Sequence, residues 1–365
     1  MSAYLHGVAS AVPETSYDQN VARDVMKAWV GGDRRTDHLL HRIYQHSGIE
    51  TRHSVVSDFA PDGARGFYLD PASGAFRNPG TAERNAVYAR EAMRLFPRVA
   101  RRALERAQGF DAADVTHVIT ASCTGFVAPG PDLAVVRELG LAPSTERYHL
   151  GFMGCYAAFP ALRMAEAFCR ADPDAVVLVA AVELCSLHLQ PSCELDALVA
   201  GSVFADGGAA TVVSARRPEA GGLRLERFSS GVAPEGADAM AWTIGDTGFD
   251  MVLSSYVPKI VGARAQEAVE PLLQAAGVRR ADVRRWAVHP GGRAILDRVE
   301  SGLGLPREAL AASRAVLARY GNMSSATVLF VLQRLLEDGL EPGEPIVAMA
   351  FGPGLTVDAG VLSAA

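Results

Sequence analysis

Cys155 follows Gly151-Phe152-Met153-Gly154 and leads into Tyr156-Ala157-Ala158. Small residues around a thiol let backbone and substrate approach it closely. An apolar helical pattern then runs through Leu162, Ala165, Phe168 and Cys169. A helix beginning near Cys155 would aim free N–H groups and its positive dipole end at the sulfur. That would lower the thiol's pKa and make a nucleophile. A lone cysteine is more commonly a buried structural residue, so the assignment needs partners. Two other turns offer them. His289 stands in His289-Pro290-Gly291-Gly292, and Asn322 in Gly321-Asn322-Met323-Ser324-Ser325. Singly, the first reads as a satisfied core histidine and the second as an N-cap. An imidazole is what a cysteine nucleophile requires beside it, and all three residues fall at matching strand and helix ends.

The surrounding elements explain that placement. Leu5–Val12 reads as a short strand closed by Pro13, Asp18–Trp29 as a helix and His38–His46 as a second helix. The three histidines of the latter lack a Cys or Asp cluster at ligand spacing, so they read as a solvated face rather than a metal site. Residues 57–81 are rich in Gly, Pro, Ala and Asp and read as a surface loop, followed by a long helix, Thr81–Gln108. Val115–Ala121 and Ala175–Val182 are β-branched or apolar runs of the kind buried on both faces. Phe204–Val213 is a turn into a third strand. The pattern recurs after about residue 220: strand Val283–Val288, a helix opened by the Asn322 turn, strand Ile346–Phe351, a Gly-Pro-Gly turn and strand Thr356–Leu362. Each half thus reads strand, polar turn, helix with a reactive residue at its start, buried strand, Gly turn, strand. This implies an internal duplication with halves at 1–218 and 219–365 whose strand-end turns converge on one site.

Composition sets outer bounds. The chain has 365 residues, 49% hydrophobic and 21% charged, enough for a large core and too apolar for disorder. A net charge of -6 argues against general nucleic-acid binding. No apolar run is long enough to span a bilayer, and the first twenty residues lack a signal-peptide pattern. Five cysteines without CxxC spacing fit free thiols in a reducing cytoplasm.

The stretches GFMGCYAA, WAVHPGGRAILDRVE, RYGNMSSATVLF and AFGPGLTV resemble the signatures of type III polyketide synthases, the chalcone-synthase-like branch of the thiolase superfamily. FADGGAA and GDTGF with YVPK match as well, so the resemblance covers nearly the whole chain in the family's order. It implies a homodimer of five-layered αβαβα subunits, each built from two duplicated halves. It implies that Cys155 is loaded by an acyl-CoA starter. His289 and Asn322 would bind the malonyl-CoA carbonyl and then the enolate oxygen left by decarboxylation. His289 would also stabilise the Cys155 thiolate, and Phe204 would be the aromatic gatekeeper that discourages water. CoA thioesters are then substrates, and no metal or other cofactor is expected.

Further positions carry over from the resemblance. Cys123, Cys185, His188, Trp242, Met251 and Ser324 would line the substrate cavity, and Arg42, Gly292 and Ala294 would contact CoA. Leu39 and His46 fall where plant enzymes have lysines. Cys123, Cys185 and His188 replace threonines, Met251 a phenylalanine, Trp242 a glycine and Ala128 a methionine that reaches the partner subunit. These departures suggest a medium or long fatty acyl-CoA starter and an alkylpyrone or alkylresorcinol product. Trp242 favours an alternative, a malonyl-primed tetrahydroxynaphthalene-type product. A carrier-protein-dependent ketoacyl synthase and a non-catalytic thiolase-fold scaffold are the other readings.

Overall fold

The computed structural model describes residues 2–64, 66–219, 221–254 and 256–365. The chain opens with β1 (Ala3–Ala11), β2 (Ser16–Asp18), α1 (Gln19–Val30), α2 (Arg34–Gln45), β3 (Thr51–His53) and the long α3 (Thr81–Arg106). There follow β4 (His117–Ser122), α4 (Pro131–Leu139), β5 (Glu146–Gly151), α5 (Ala158–Ala171), β6 (Val176–Leu184), α6 (Leu195–Val203) and β7 (Asp206–Ser214). The remainder comprises β8 (Leu223–Val232), β9 (Met240–Gly245), β10 (Gly248–Leu253), α7 (Val257–Ala276), β11 (Arg285–Val288), α8 (Arg293–Leu303), α9 (Ala311–Tyr320), α10 (Thr327–Glu337), β12 (Pro345–Gly352) and β13 (Thr356–Ala364).

Nine strands form one sheet in the order β11-β12-β13-β8-β1-β7-β6-β4-β5. The duplication is visible in this order. On one side β1 and β7 are antiparallel, β7 and β6 antiparallel, β6 and β4 parallel. On the other side β8 and β13, then β13 and β12, then β12 and β11 repeat that series. The two series join through antiparallel pairing of β1 with β8 at Ala3–Leu225, Tyr4–Arg224 and Leu5–Leu223. Parallel pairs need a crossover, and α5 and α10 enter the parallel-paired strands β6 and β12 from equivalent places.

Three apolar cores give the layers. One lies between α3 and the first strand series, where Phe96, Val99 and Ala100 meet Leu178, Ala180 and Val212. The middle core holds α5 and α10 between the two series: Ala158, Ala161, Leu162 and Ala165 face Val328, Leu329 and Leu332. The third packs Val261, Ala265, Leu296 and Val299 from α7 and α8 against Val347, Met349 and Ala359. Alternating helix and sheet layers, five in all, follow from those contacts. Strands β6 and β7 are buried along their whole lengths, which is why their sequences are continuous rather than alternating.

Two expectations need correcting. Residues 57–81 form a loop but not a free surface one. One Asp58 carboxylate oxygen accepts N–H groups of Gly66, Phe67, Tyr68 and Leu69 at 2.9–3.1 Å, and Tyr68 is fully buried. The reactive residues also do not begin their helices. Cys155 precedes α5, which starts at Ala158, and Asn322 precedes α10, which starts at Thr327.

Candidate active site

After β5 the chain turns through Phe152, at φ +57°, and Gly154, at φ +87°, to present Cys155. A Cβ on Gly154 would lie 2.3 Å from Pro353 Cδ, and one on Gly352 would lie 2.3 Å from Tyr156 Cδ1. The Gly-Cys-Tyr turn of one half therefore interlocks with the Gly-Pro-Gly turn of the other, and only glycine allows the approach. Burial pushes the Cys155 thiol up to about 12, while hydrogen bonding from Ser324 and Asn322 pulls the other way. The expected acidified thiol is thus corrected: the helix starts too late to help, and desolvation outweighs the hydrogen bonds.

His289 directly follows β11, extending its pairing by donating its backbone N–H to Met349 O at 2.7 Å. Its ring is buried, and neither Nδ1 nor Nε2 has a hydrogen-bond partner among the described residues. Burial holds its pKa down to about 3, so the ring is neutral. Burial thus disfavours the charged form of both groups, against the expected thiolate stabilised by His289.

Asn322 lies on the seam between halves. Its backbone N–H donates to Val203 O at 2.8 Å and its carbonyl accepts from the Ala205 N–H at 2.9 Å, pairing it alongside Phe204. Its side-chain Oδ1 accepts the Ser324 N–H at 2.8 Å, and Nδ2 donates to Gly291 O at 3.3 Å. The carboxamide therefore holds Ser324 in the left-handed region, at φ +45°, which a non-glycine residue adopts only under local constraint. In that pose Ser324 Oγ is 3.3 Å from Cys123 Sγ.

Cys155, His289 and Asn322 border one cavity of about 320 Å³, walled largely by apolar side chains such as Ile43, Val199, Val203, Leu253, Val257 and Ile295. Phe204, Cys123, Cys185, Trp242, Met251 and Ser324 border it too, as do Gly292 and Ala294. Trp242 spans it, its Nε1 donating to Cys123 O at 3.0 Å. Two expected residues lie elsewhere. Arg42 is exposed on α2, outside the cavity, although Ile43 of that helix and His46, just past its end, reach the cavity wall. His188 borders a second cavity, of about 470 Å³, which shares Cys185, Phe204, Trp242 and Met251 with the first. Among the described residues no group of three or more His, Cys, Asp or Glu side chains could hold a metal ion.

Sequence reasoning missed Glu183. It is fully buried at the end of β6, accepting from the Cys123 N–H and Thr124 Oγ1, both at 2.9 Å, and from the Ser325 hydroxyl. Burial raises its pKa, and those donors oppose the rise. Its carboxylate ties the strand end before Cys123 to the Asn322–Ser325 turn. A signal existed: an acidic residue closing an otherwise apolar run. Arg293 was also passed over; it borders the cavity from the first position of α8 and supplies a half-exposed cation there.

Two repeated α/β halves that bring a thiol, an imidazole and a carboxamide to one apolar cavity define a thiolase-like condensing enzyme. Residues 2–217 match the N-terminal domain and residues 225–365 the C-terminal domain of chalcone and stilbene synthases. The chain belongs to that family and is a type III polyketide synthase, an acyltransferase. It is 33% identical to the alpha-pyrone synthesis polyketide synthase-like Pks18 of Mycobacterium tuberculosis, over 98% of this chain and 90% of that one. It is 35% identical to 1,3,6,8-tetrahydroxynaphthalene synthase of Streptomyces coelicolor, over 89% and 84% respectively. The crystal structure of PKS-I from the brown alga Ectocarpus siliculosus superposes with a TM-score of 0.92 at 33% identity, covering 100% of this chain and 98% of that one.

Proposed function

We propose that Cys155 carries the acyl starter and the growing chain, and that His289 and Asn322 activate malonyl-CoA. The observation that carries this reading is the His289 ring, buried with both nitrogens unpartnered among the described residues, beside the Asn322 carboxamide in the cavity that also holds Cys155. Cys155 Sγ attacks the acyl-CoA carbonyl, its proton passes to His289, and CoA thiol leaves. Malonyl-CoA then binds with its thioester oxygen toward His289 and the Asn322 Nδ2–H. Loss of CO₂ puts negative charge on that oxygen, where the two donors stabilise it. The enolate carbon attacks the acyl–Cys155 thioester, and the extended chain returns to the thiol for the next round. Phe204, buried at the edge of the same cavity, keeps the decarboxylation site apolar, which favours loss of a charged carboxylate as CO₂.

The starter in this reading is a medium or long fatty acyl-CoA, and the product an alkylpyrone or alkylresorcinol. Support comes from the apolar walls, the buried thiols of Cys123 and Cys185 in place of hydroxyls, and flexible Met251. One observation favours a second reading. The Trp242 indole is fastened across the cavity to the Cys123 carbonyl, which limits volume and suits a small product built from malonyl units alone. A competition separates the two: malonyl-CoA with and without palmitoyl-CoA, products read by mass. Incorporation of the acyl chain is expected; an aromatic pentaketide alone in both reactions establishes the malonyl-primed reading instead.

The same reading includes an architecture of halves at 1–218 and 219–365, which the two family matches support. It includes CoA thioesters as substrates with no further cofactor. CoA would be held near Gly292, Arg293 and Ala294 at the start of α8, with Arg42 reaching from outside the cavity. It places the enzyme in the cytoplasm as a homodimer. Strand β5 is an edge of the sheet and runs straight into the Cys155 turn, which supports subunit contact there. No helix among the described residues is long and apolar enough to cross a membrane.

A further inference from the structure

We propose that His188 is a positioning residue: a doubly hydrogen-bonded brace that holds the β9–β10 hairpin, and with it Trp242 and Met251, against the reaction cavity. The resemblance to plant enzymes placed His188 among the residues lining the substrate cavity, yet its ring is committed to backbone groups. Nε2 lies 2.8 Å from the Thr124 carbonyl oxygen, and Nδ1 accepts the Phe249 N–H at 3.1 Å. Those partners fix the tautomer with the proton on Nε2, because a carbonyl can only accept and an N–H can only donate. The ring also stacks on Phe249, centroids 4.0 Å apart and planes 13° from parallel.

Both backbone partners matter to the cavity. Thr124 follows Cys123, whose carbonyl receives the Trp242 indole N–H. Phe249 lies on β10, two residues before Met251, and Met251 pairs with Trp242 across the hairpin. His188 therefore links the two ends of the span that Trp242 crosses. The hairpin has further ties: the Thr81 N–H donates to the Asp246 carbonyl at 2.8 Å, and Phe249 is buried edge-on to Phe152. The turn is also tied to α3 by the Thr81 hydroxyl, which accepts the Gly248 N–H at 2.8 Å, and Gln190 Nε2 reaches Asp250 at 2.9 Å. The outer face carries exposed Ile244 and Val252.

The position selects for imidazole. A neutral imidazole offers a donor at one end, an acceptor at the other and an aromatic face between, whereas a carboxamide offers only the first two with no aromatic face. Burial, with the nearby Arg84 charge adding to it, keeps His188 down to about 4, so the acceptor nitrogen stays unprotonated in the neutral range. Arg84 itself is fully buried and donates to the Leu189 carbonyl at 2.9 Å, which fixes the segment carrying the brace. Trp242 borders both the reaction cavity and the second cavity, as does Asp196, and the second adds Glu194 and Asp250 to its wall. Releasing the hairpin would let the two spaces join and would change which starters fit.

The inference rests on the family activity but not on the identity of the starter. The test compares wild type with His188→Phe, which keeps the stack and deletes both hydrogen bonds, and His188→Gln, which restores a donor and an acceptor. Two readouts are taken: the ratio of kcat/KM for palmitoyl-CoA to that for hexanoyl-CoA, and the tryptophan emission maximum. Trp242→Phe identifies the Trp242 share of the emission, since Trp29 and Trp286 are buried. Two lost buried hydrogen bonds should shift the starter ratio in His188→Phe by on the order of tenfold. Its emission should move to the red, and His188→Gln should return both readouts toward wild type. Folded His188→Phe with unchanged ratio and emission overturns the brace, as does His188→Gln behaving like His188→Phe. If His188→Phe does not fold, His188→Gln decides: wild-type values support the brace and altered values refute it. A wild-type enzyme that uses neither acyl-CoA refutes the fatty-starter assignment, and the emission comparison then decides the brace by itself.

Discussion

The two halves share a strand series and a helix placed in the central layer, yet their turns do opposite work. Before α5 the turn presents the Cys155 thiol, the nucleophile of the proposed mechanism. The turn is held from the other half, where Pro353 packs on Gly154 and Gly352 on Tyr156. Before α10 the turn carries the Asn322 carboxamide, which bonds Ser324 and Gly291, and the first half holds it through Val203, Ala205 and Glu183. The His289 ring next to it has no bond at all among the described residues. A repeated scaffold thus supplies position, and a few residues between sheet and helix supply function. The difference also has an energetic side. The His289 ring, near the Asn322 turn, is buried and unpaired among the described residues, a cost retained where a ligand is to be bound.

Breaking the nucleophile side should give the largest effect. Cys155→Ala removes only a sulfur, so the fold should survive while condensation falls by about 10⁴-fold or more. Product assays by mass, with a thermal melt as control, check this; wild-type product formation would remove Cys155 from the mechanism.

The donor side should cost less per residue. His289→Ala and Asn322→Ala should each lower malonyl-CoA decarboxylation by about two to three decades, roughly 3 kcal/mol. Because both act on one oxygen, the double variant should lose far less than the sum of the two. Measured CO₂ release that stays at the wild-type rate in both singles would show that the enolate is stabilised elsewhere.

A third substitution tests the tie between the halves. Glu183→Leu leaves the Cys123 N–H and the Thr124 and Ser325 hydroxyls without their buried acceptor. The expected loss is about 3 kcal/mol of stability or more, at one to three per orphaned group. Glu183→Gln, which keeps acceptor capacity, should lose much less. Denaturant midpoints read both, and equal losses would mean that charge rather than hydrogen bonding matters here.

The smallest effect sharpens the contrast through pH. His289 has a folded pKa near 3 against 6.5 for the unfolded ring. A base with a depressed folded pKa contributes stability that is fully present above its unfolded value and is lost as pH falls through 6.5 toward 3. Between pH 7 and pH 5 wild type should therefore lose about 2 kcal/mol more than His289→Gln, which has no titrating ring. Chemical denaturation at the two pH values measures it; parallel losses would mean that His289 protonates readily in the folded protein.

The chemistry of the chain was legible to the extent that it was written in contiguous residues. Gly154-Cys155, His289 through Gly292, and Gly321-Asn322 are local signatures, because tight turns at the ends of strands and helices demand glycine in set places beside the reactive residue. The buried strands were equally plain, since β6 and β7, covered on both faces, need unbroken apolar runs. The helix starts were placed too early because short turn segments, Tyr156-Ala157 and Met323 through Ala326, come between the reactive residues and the first helical positions. What the tertiary structure decided are quantities no neighbour in sequence controls. The direction of the Cys155 shift depends on how completely other elements exclude water from the sulfur. Glu183 gains its importance from donors 60 and 142 residues away. His188 looks like a cavity residue until Thr124 and Phe249 arrive on either side of its ring. Solvation and long-range hydrogen bonding are set by which segments meet, and that is settled only when the two halves close on one another.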